Sequence, residues 1–378
     1  MELEHLVHEV LEHRVGFMKF KGHSSELVEA KRSGKGVSFM RFCDVTLNTT
    51  YIANLLTAMP TFNASSFHPG PYILTGIPGT EESHFWIAIS FFLMYVAALF
   101  GNFLLLFIIL TEQSLHEPMY LFMSMLAAAD LLLSTTAVPK MLAVLWFRAG
   151  EISFAACLTQ MFFIHVSFMA ESTILLAMAF DRYVAICDPL RYTMILTMSV
   201  IRKMGLVVVT RSFCIIFPII FLVKQLNFCR TNLLPHNYCD YMTIARLACD
   251  DITVHLWYGR AMAVLVIGLD AVLIAVSYGL ILRAVFLLPS TDARLKALRT
   301  CSSQLCVILM FYLSSVFSYY ARQFGHIMPG YIVNLLANLY VLIPPMLNPI
   351  IYGMTTKEIL KWVINDFYRC WSKSSVPS

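Results

Sequence analysis

Charge is what this sequence has least of. Only 13% of its 378 residues are Asp, Glu, Lys or Arg, while 58% are hydrophobic. An ordinary soluble domain carries about a quarter of its residues as charges, so a chain with half that usage is solvated largely by lipid. Disordered, collagen-like and soluble nucleic-acid-binding classes fit poorly, and no nucleic acid is expected as a partner. Glycine and proline, at 16 and 15, are too few for a low-complexity chain. Ten cysteines at this length do not make a disulfide miniprotein, although some remain available to close loops that face an oxidising compartment. The opening MELEHLVHEV has neither a basic region nor an unbroken apolar core, so nothing there reads as a cleaved signal peptide. The apolar regions hold no nucleophile–base constellation and no cluster of His and Glu, which argues against a membrane enzyme and leaves no catalytic residue to name. No convincing internal repeat supports a channel or transporter.

What is there is a series of apolar runs. Each is long enough to cross a hydrocarbon core of about 30 Å at about 1.5 Å per residue. The spans read Phe85 to Leu110, Tyr120 to Val144, Phe154 to Ile186, Met204 to Val223, Trp257 to Leu287, Cys301 to Tyr320 and Tyr331 to Tyr352. In lipid every backbone amide must be satisfied within its own segment or in a closed barrel, and barrel strands would alternate, so helices are expected. The fold class is an all-α membrane protein, a seven-helix bundle. Three regions are expected: a polar extension at 1–58, a seven-span domain at 59–356, and an amphipathic helix with a tail at 357–378. The extension holds seven basic and seven acidic residues, reads as flexible and extramembrane, and leaves Met59 as an alternative start. With the N-terminus outside, the inner segments hold twelve Lys or Arg and the outer ones after the extension seven, the asymmetry expected of an N-out, C-in protein in the plasma membrane. Two glycosylation sequons, at Asn48 and Asn63, lie on the same outer side.

Ionisable groups inside a span cost about 2.5–3.5 kcal/mol each, so each needs an explanation. Asp130 lies in the second span and Glu171 in the third. Together they suit a hard cation such as sodium; equally, one or both are protonated and hydrogen-bonded, since burial favours the uncharged acid. Arg211 in the fourth span and Asp270 in the fifth each call for a structural partner. The third span ends on Asp181-Arg182-Tyr183, by itself no more than a solvated helix boundary. The seventh closes on Asn348-Pro349-Ile350-Ile351-Tyr352, where proline breaks the helical ladder. Past Tyr352, the positions Ile359, Val363 and Phe367 fall four apart, one apolar stripe suited to a short helix at the membrane surface.

The region from about Met59 to Trp371 resembles a rhodopsin-like G-protein-coupled receptor, specifically an olfactory receptor of the fish-like class I group. The strings that carry the resemblance are Gly101-Asn102, Leu115-His116-Glu117-Pro118-Met119-Tyr120, Met178 to Cys187, Ser277-Tyr278, Lys296-Ala297-Leu298 with Thr300-Cys301, and Pro344 to Gly353; Tyr72 to Gly79 suggests class I. The resemblance implies an odorant receptor that binds a small volatile or short polar ligand in the outer half of the bundle. It also implies activation of an olfactory Gs-type heterotrimeric G protein that raises cyclic AMP, with membrane lipid as surroundings. Asp181, Arg182, Tyr183, Tyr278, Asn348, Pro349 and Tyr352 become the switch, and Asp130 and Glu171 match the family's sodium site, an allosteric ion and no other cofactor. Cys157 is then expected to pair with Cys239, and Cys229 with Cys249. Cys187, Cys214, Cys301 and Cys306 read as free apolar thiols, and Cys370 as a palmitoylation candidate.

From the family pattern the ligand set is His165, Phe168 and Met169 on the third helix, Tyr241 or Met242 after Cys239, and Tyr312, Ser315 and Tyr319 on the sixth, with Arg322 and Gln323 at its top. Class I receptors often hold carboxylic acids through an Arg in a His-Arg-Phe-Gly string. This chain reads Arg322-Gln323-Phe324-Gly325, which turns the guanidinium about 100° around the helix and favours a neutral or moderately polar odorant. Arg299, Gln304 and Thr355 depart from the family at the G-protein end. A member with weak or lost signalling, or a non-olfactory rhodopsin-like receptor, is the alternative.

Overall fold

The computed structural model describes residues 71–364 apart from 81, 229–230, 289, 324–328 and 357, and for 322–323 the backbone alone. Among the described residues seven helices are long and apolar enough to cross a membrane. They are α1 (His84–Thr111), α2 (Pro118–Phe147), α3 (Phe154–Cys187), α4 (Met198–Lys224), α5 (Thr253–Phe286), α6 (Thr291–Gln323) and α7 (Gly330–Thr355). All seven expected spans are present, each extended at one end or both, or matched within a few residues. Local chemistry sets the starts. Pro118 supplies the first turn of α2, where its missing N–H is no loss. The Ser153 side chain accepts from Ala156 N at 3.3 Å to open α3, and that of Thr197 from Val200 N at 3.4 Å to open α4. The largest departure is α6, which begins at Thr291, ten residues before the apolar run. That first stretch carries Asp292, Arg294, Lys296 and Arg299, and an apolar criterion cannot see a helix that continues into water.

Two helices have irregular backbones. In α5 a π turn, Ala263–Gly268, ends two residues before Asp270. In α7 three prolines, Pro344, Pro345 and Pro349, interrupt the ladder. Pro349 has no N–H to give to the Pro345 carbonyl, and the Asn102 side-chain amide donates to that oxygen instead, at 2.8 Å. Its neighbour Gly101 packs on the Pro349 ring, where a Cβ would stand 2.7 Å from Cγ. The Gly-Asn pair thus acts as a clamp that lets α1 close on a weakened turn of α7.

At the end of the bundle that holds the disulfide, a small sheet joins three distant segments. Strand β1 (Tyr72–Leu74) lies between β2 (Glu151–Ile152), antiparallel, and β3 (Leu233–Leu234), parallel. Gly150 allows this approach, because a Cβ there would collide with the Leu74 carbonyl. Cys157 at the start of α3 is bonded to Cys239 in the long loop, and Cys239 N donates to Gln160 Oε1 at 3.0 Å. The same loop is held to α7 by Asn334 Nδ2 donating to Pro235 O at 2.9 Å. Cys249 is disulfide-bonded, while Cys229, Asn48, Asn63, Phe367 and Cys370 lie outside the described residues. Cys187, Cys214, Cys301 and Cys306 are free.

At the opposite end, residues 358–364 are helical. Ile359 is buried against the core, and Trp362 Nε1 donates to Glu112 Oε1 at 3.0 Å at the end of α1.

Candidate functional site: polar clusters inside the bundle

The four ionisable groups that stand out within the spans, Asp130, Glu171, Arg211 and Asp270, resolve into two clusters. In the first, Arg211 of α4 forms a bidentate pair with Asp270 of α5, both contacts at 2.9 Å. Asp270 Oδ2 also accepts from Ser172 of α3 at 2.8 Å, and Arg211 donates to Thr173 Oγ1 at 2.7 Å. Ser172 in turn meets the Tyr312 hydroxyl of α6 at 3.0 Å. Four helices therefore meet in one network in which every carboxylate oxygen has a donor. The two charges that the sequence left singly unexplained are each other's partners, and Tyr312, expected at the ligand, is tied into their network.

The second cluster is built differently. Asp130 of α2 is fully buried, and both of its oxygens accept from Asn348 Nδ2, at 3.1 and 3.0 Å. Glu171 is also fully buried, and neither of its oxygens has a partner. Asn348 Oδ1 and Asn102 Oδ1 are buried without donors as well. All four orphaned atoms are oxygen acceptors, the donor set that a hard cation takes. Asp130 and Glu171 thus fit a sodium ion by chemistry. Asn348, read from the sequence as part of the switch, is also the residue that binds Asp130.

At the end of α3 remote from the disulfide, Arg182 folds back on Asp181, with Nη2 at 2.9 Å from Oδ2. Asp181 Oδ1 accepts from Tyr192 at 2.8 Å, from a one-turn helix (Tyr192–Ile195) in the following loop. Burial, reinforced by the Asp181 charge, pushes the Tyr192 phenol above its ordinary range. Tyr192 was not expected from sequence; its position beside Pro189 and Arg191 looks like any polar loop. Tyr352 is fully buried, with its hydroxyl 3.9 Å from Met178 Sδ. The Tyr278 hydroxyl is buried without a partner, as are both amide atoms of Gln304. Tyr183 is half-buried, and Arg299 and Thr355 are exposed.

Toward the disulfide end, Phe168 stacks on Tyr340 of α7 with centroids 4.2 Å apart and packs against Phe311. Tyr340 went unnoticed in the sequence because it is one aromatic in an apolar run. Met169 is buried on a different cluster, with Cys157 and Tyr241. His165 Nδ1 lies 2.7 Å from Met161 O. The Tyr241 hydroxyl is 3.1 Å from His255 Nδ1 of α5, and burial raises its phenol. Ser315 donates to its own helix at Phe311 O. Tyr319 is exposed and edge-on to Tyr320, while the buried residue of that turn is Ser318. Arg322 and Gln323 end α6, and their side chains lie outside the described residues.

The arrangement is that of a seven-helix receptor. Squid rhodopsin in its crystal structure has the same fold, with a TM-score of 0.64 and 16% identity over 83% of this chain and 94% of that one. Residues 91–369 match the family model described as olfactory receptor. Olfactory receptor 52B2 of Homo sapiens is 57% identical over 306 residues, 81% of this chain and 95% of that protein. Olfactory receptor 52H1 of the same species is 54% identical over 303 residues, 80% and 96% respectively. The chain belongs to the olfactory receptor family, a family of receptors and not of enzymes.

Proposed function

We propose that this class I receptor binds a small, neutral or moderately polar odorant in the disulfide end of the bundle and signals through an olfactory Gs-type protein to raise cyclic AMP. The observation that carries the reading is the set of contacts that joins α3 to α6 and α7 toward the disulfide end. Phe168 and Tyr340 form an aromatic floor between α3 and α7, and Tyr312, one residue from Phe311 under that floor, is bonded to Ser172. Further along α3 Arg182 folds onto Asp181, which accepts from Tyr192 of the following loop, an arrangement that would keep Arg182 away from the G protein while the opposite end is closed. A ligand resting on the floor, beside His165 and Met169 and under the loop that carries Tyr241, would shift Tyr312 and so move α6 away from α3. Arg182, with Tyr278 and Tyr352, would then be free to meet the G protein. The N-terminus faces outward and the residues 358–364 inward, as the distribution of Lys and Arg supports. A sodium ion between Asp130 and Glu171 favours the closed form.

The test is an odorant screen in cells reporting cyclic AMP, with Arg182→Ala as control. A ligand whose response is lost in Arg182→Ala supports the reading, and a response indifferent to that change overturns it. In the same assay Gln323→Arg is expected to gain response to short fatty acids; no gain would count against Gln323 as the polar contact.

A further inference from the structure

A groove of about 400 Å³ runs between α3 and α4 on the outside of the bundle, separate from both buried clusters. Its walls are five phenylalanines, Phe154, Phe162, Phe163, Phe213 and Phe217, and Lys224 stands at the end where α3 begins and α4 stops. Phe163, Phe213 and Phe217 are 37%, 49% and 55% exposed. On helices that cross a membrane, such side chains face lipid. The rings are braced by one another: Phe213 stacks on Phe217 at 5.5 Å, and Phe162 stands edge-on to both Phe163 and Phe213. Rings held this way keep the gap open instead of collapsing into it. The polarity is one-sided. From Phe213 to Lys224 is eleven residues, about 16 Å of helix, apolar along its length with a single cation at the end. Lys224 has no acidic partner among the described residues, where the ion pairs are Arg182–Asp181, Arg191–Asp188 and Arg211–Asp270.

We propose that this groove binds a long-chain fatty acid from the surrounding membrane, its carboxylate on Lys224 and its chain along the phenylalanines. An ammonium on a flexible stem at a helix end reaches the level of the headgroups while its methylenes stay on apolar surface, which places it where a fatty acid carries its carboxylate. The volume lies within the range of specific small-molecule pockets and suits one acyl chain better than the pair a phospholipid carries.

The full-length receptor, purified into nanodiscs of phosphatidylcholine, would be photolabelled with a diazirine-bearing palmitic acid and mapped by peptide. Labelling concentrated on 154–163 and 213–224, competed by palmitate and about threefold less strongly by hexadecanol, is expected. Lys224→Gln should weaken it about threefold, the loss of one interfacial ion pair, and Thr159→Trp, at a residue that also lines the groove and would fill it, should abolish it without changing thermal unfolding. Uniform labelling of the lipid-facing helices, equal labelling of Lys224→Gln, or equal competition by hexadecanol would overturn the proposal. Competition by phosphatidylglycerol as strong as that by palmitate would give the groove to a two-chain lipid and overturn it as well.

Discussion

Two clusters of buried charge stand within one bundle and are finished to different degrees. Around Arg211 and Asp270 each carboxylate oxygen has a donor, and the surrounding Ser172, Thr173 and Tyr312 are bonded too. Around Asp130 and Glu171 the donor among the described residues is Asn348, and both Glu171 oxygens and Asn348 Oδ1 are left without a partner. A closed network rigidifies and resists change, whereas a set with surplus acceptors is completed by something that binds or by rearrangement. The difference assigns the first cluster to holding α3, α4, α5 and α6 together. It leaves the second with the acceptors that the proposed sodium ion would take, beside α7, the helix whose prolines already weaken its ladder.

The sharpest way to break that comparison is to remove one member of the closed network. Asp270→Ala leaves a guanidinium unpaired among apolar helices, and the expected loss is about 3–5 kcal/mol, read as absence of folded receptor at the cell surface. Arg211→Leu with Asp270→Leu should recover most of it. A smaller effect is expected at the clamp. Asn102→Leu strips the Pro345 carbonyl of its donor and should cost about 1–3 kcal/mol, read as a lower unfolding temperature in detergent. The smallest is Tyr192→Phe, which removes one hydrogen bond to the Asp181 carboxylate. At a loop position the loss is expected at about 1 kcal/mol, the ordinary net worth of one hydrogen bond; raised basal cyclic AMP would report it.

Much of this organisation was legible in the sequence, for physical reasons. Lipid enforces apolar runs, so seven spans could be counted, and it makes each internal charge conspicuous, so Asp130, Glu171, Arg211 and Asp270 stood out singly. Their pairing did not, because Arg211 and Asp270 are brought together only where α4 and α5 both pack on α3. The start of α6 was hidden because a helix in water needs no apolar run. Tyr192 and Tyr340 were hidden because a tyrosine in a loop, or among apolar residues, carries no mark of its partner. The strand Tyr72–Leu74 read as part of a family string, and its place at the centre of a sheet emerged from pairing with two distant loops.

The contrast between the clusters is tested most directly by following thermal unfolding of the purified receptor in sodium chloride against choline chloride at equal ionic strength, for the parent, Glu171→Gln and the double leucine variant at 211 and 270. At a sodium concentration ten times Kd the parent should gain about 1.4 kcal/mol. The double variant should keep that gain, since its change lies in the closed network, and Glu171→Gln should lose it. Equal sodium response in the parent and Glu171→Gln, or loss of the response in the double variant, would contradict the account.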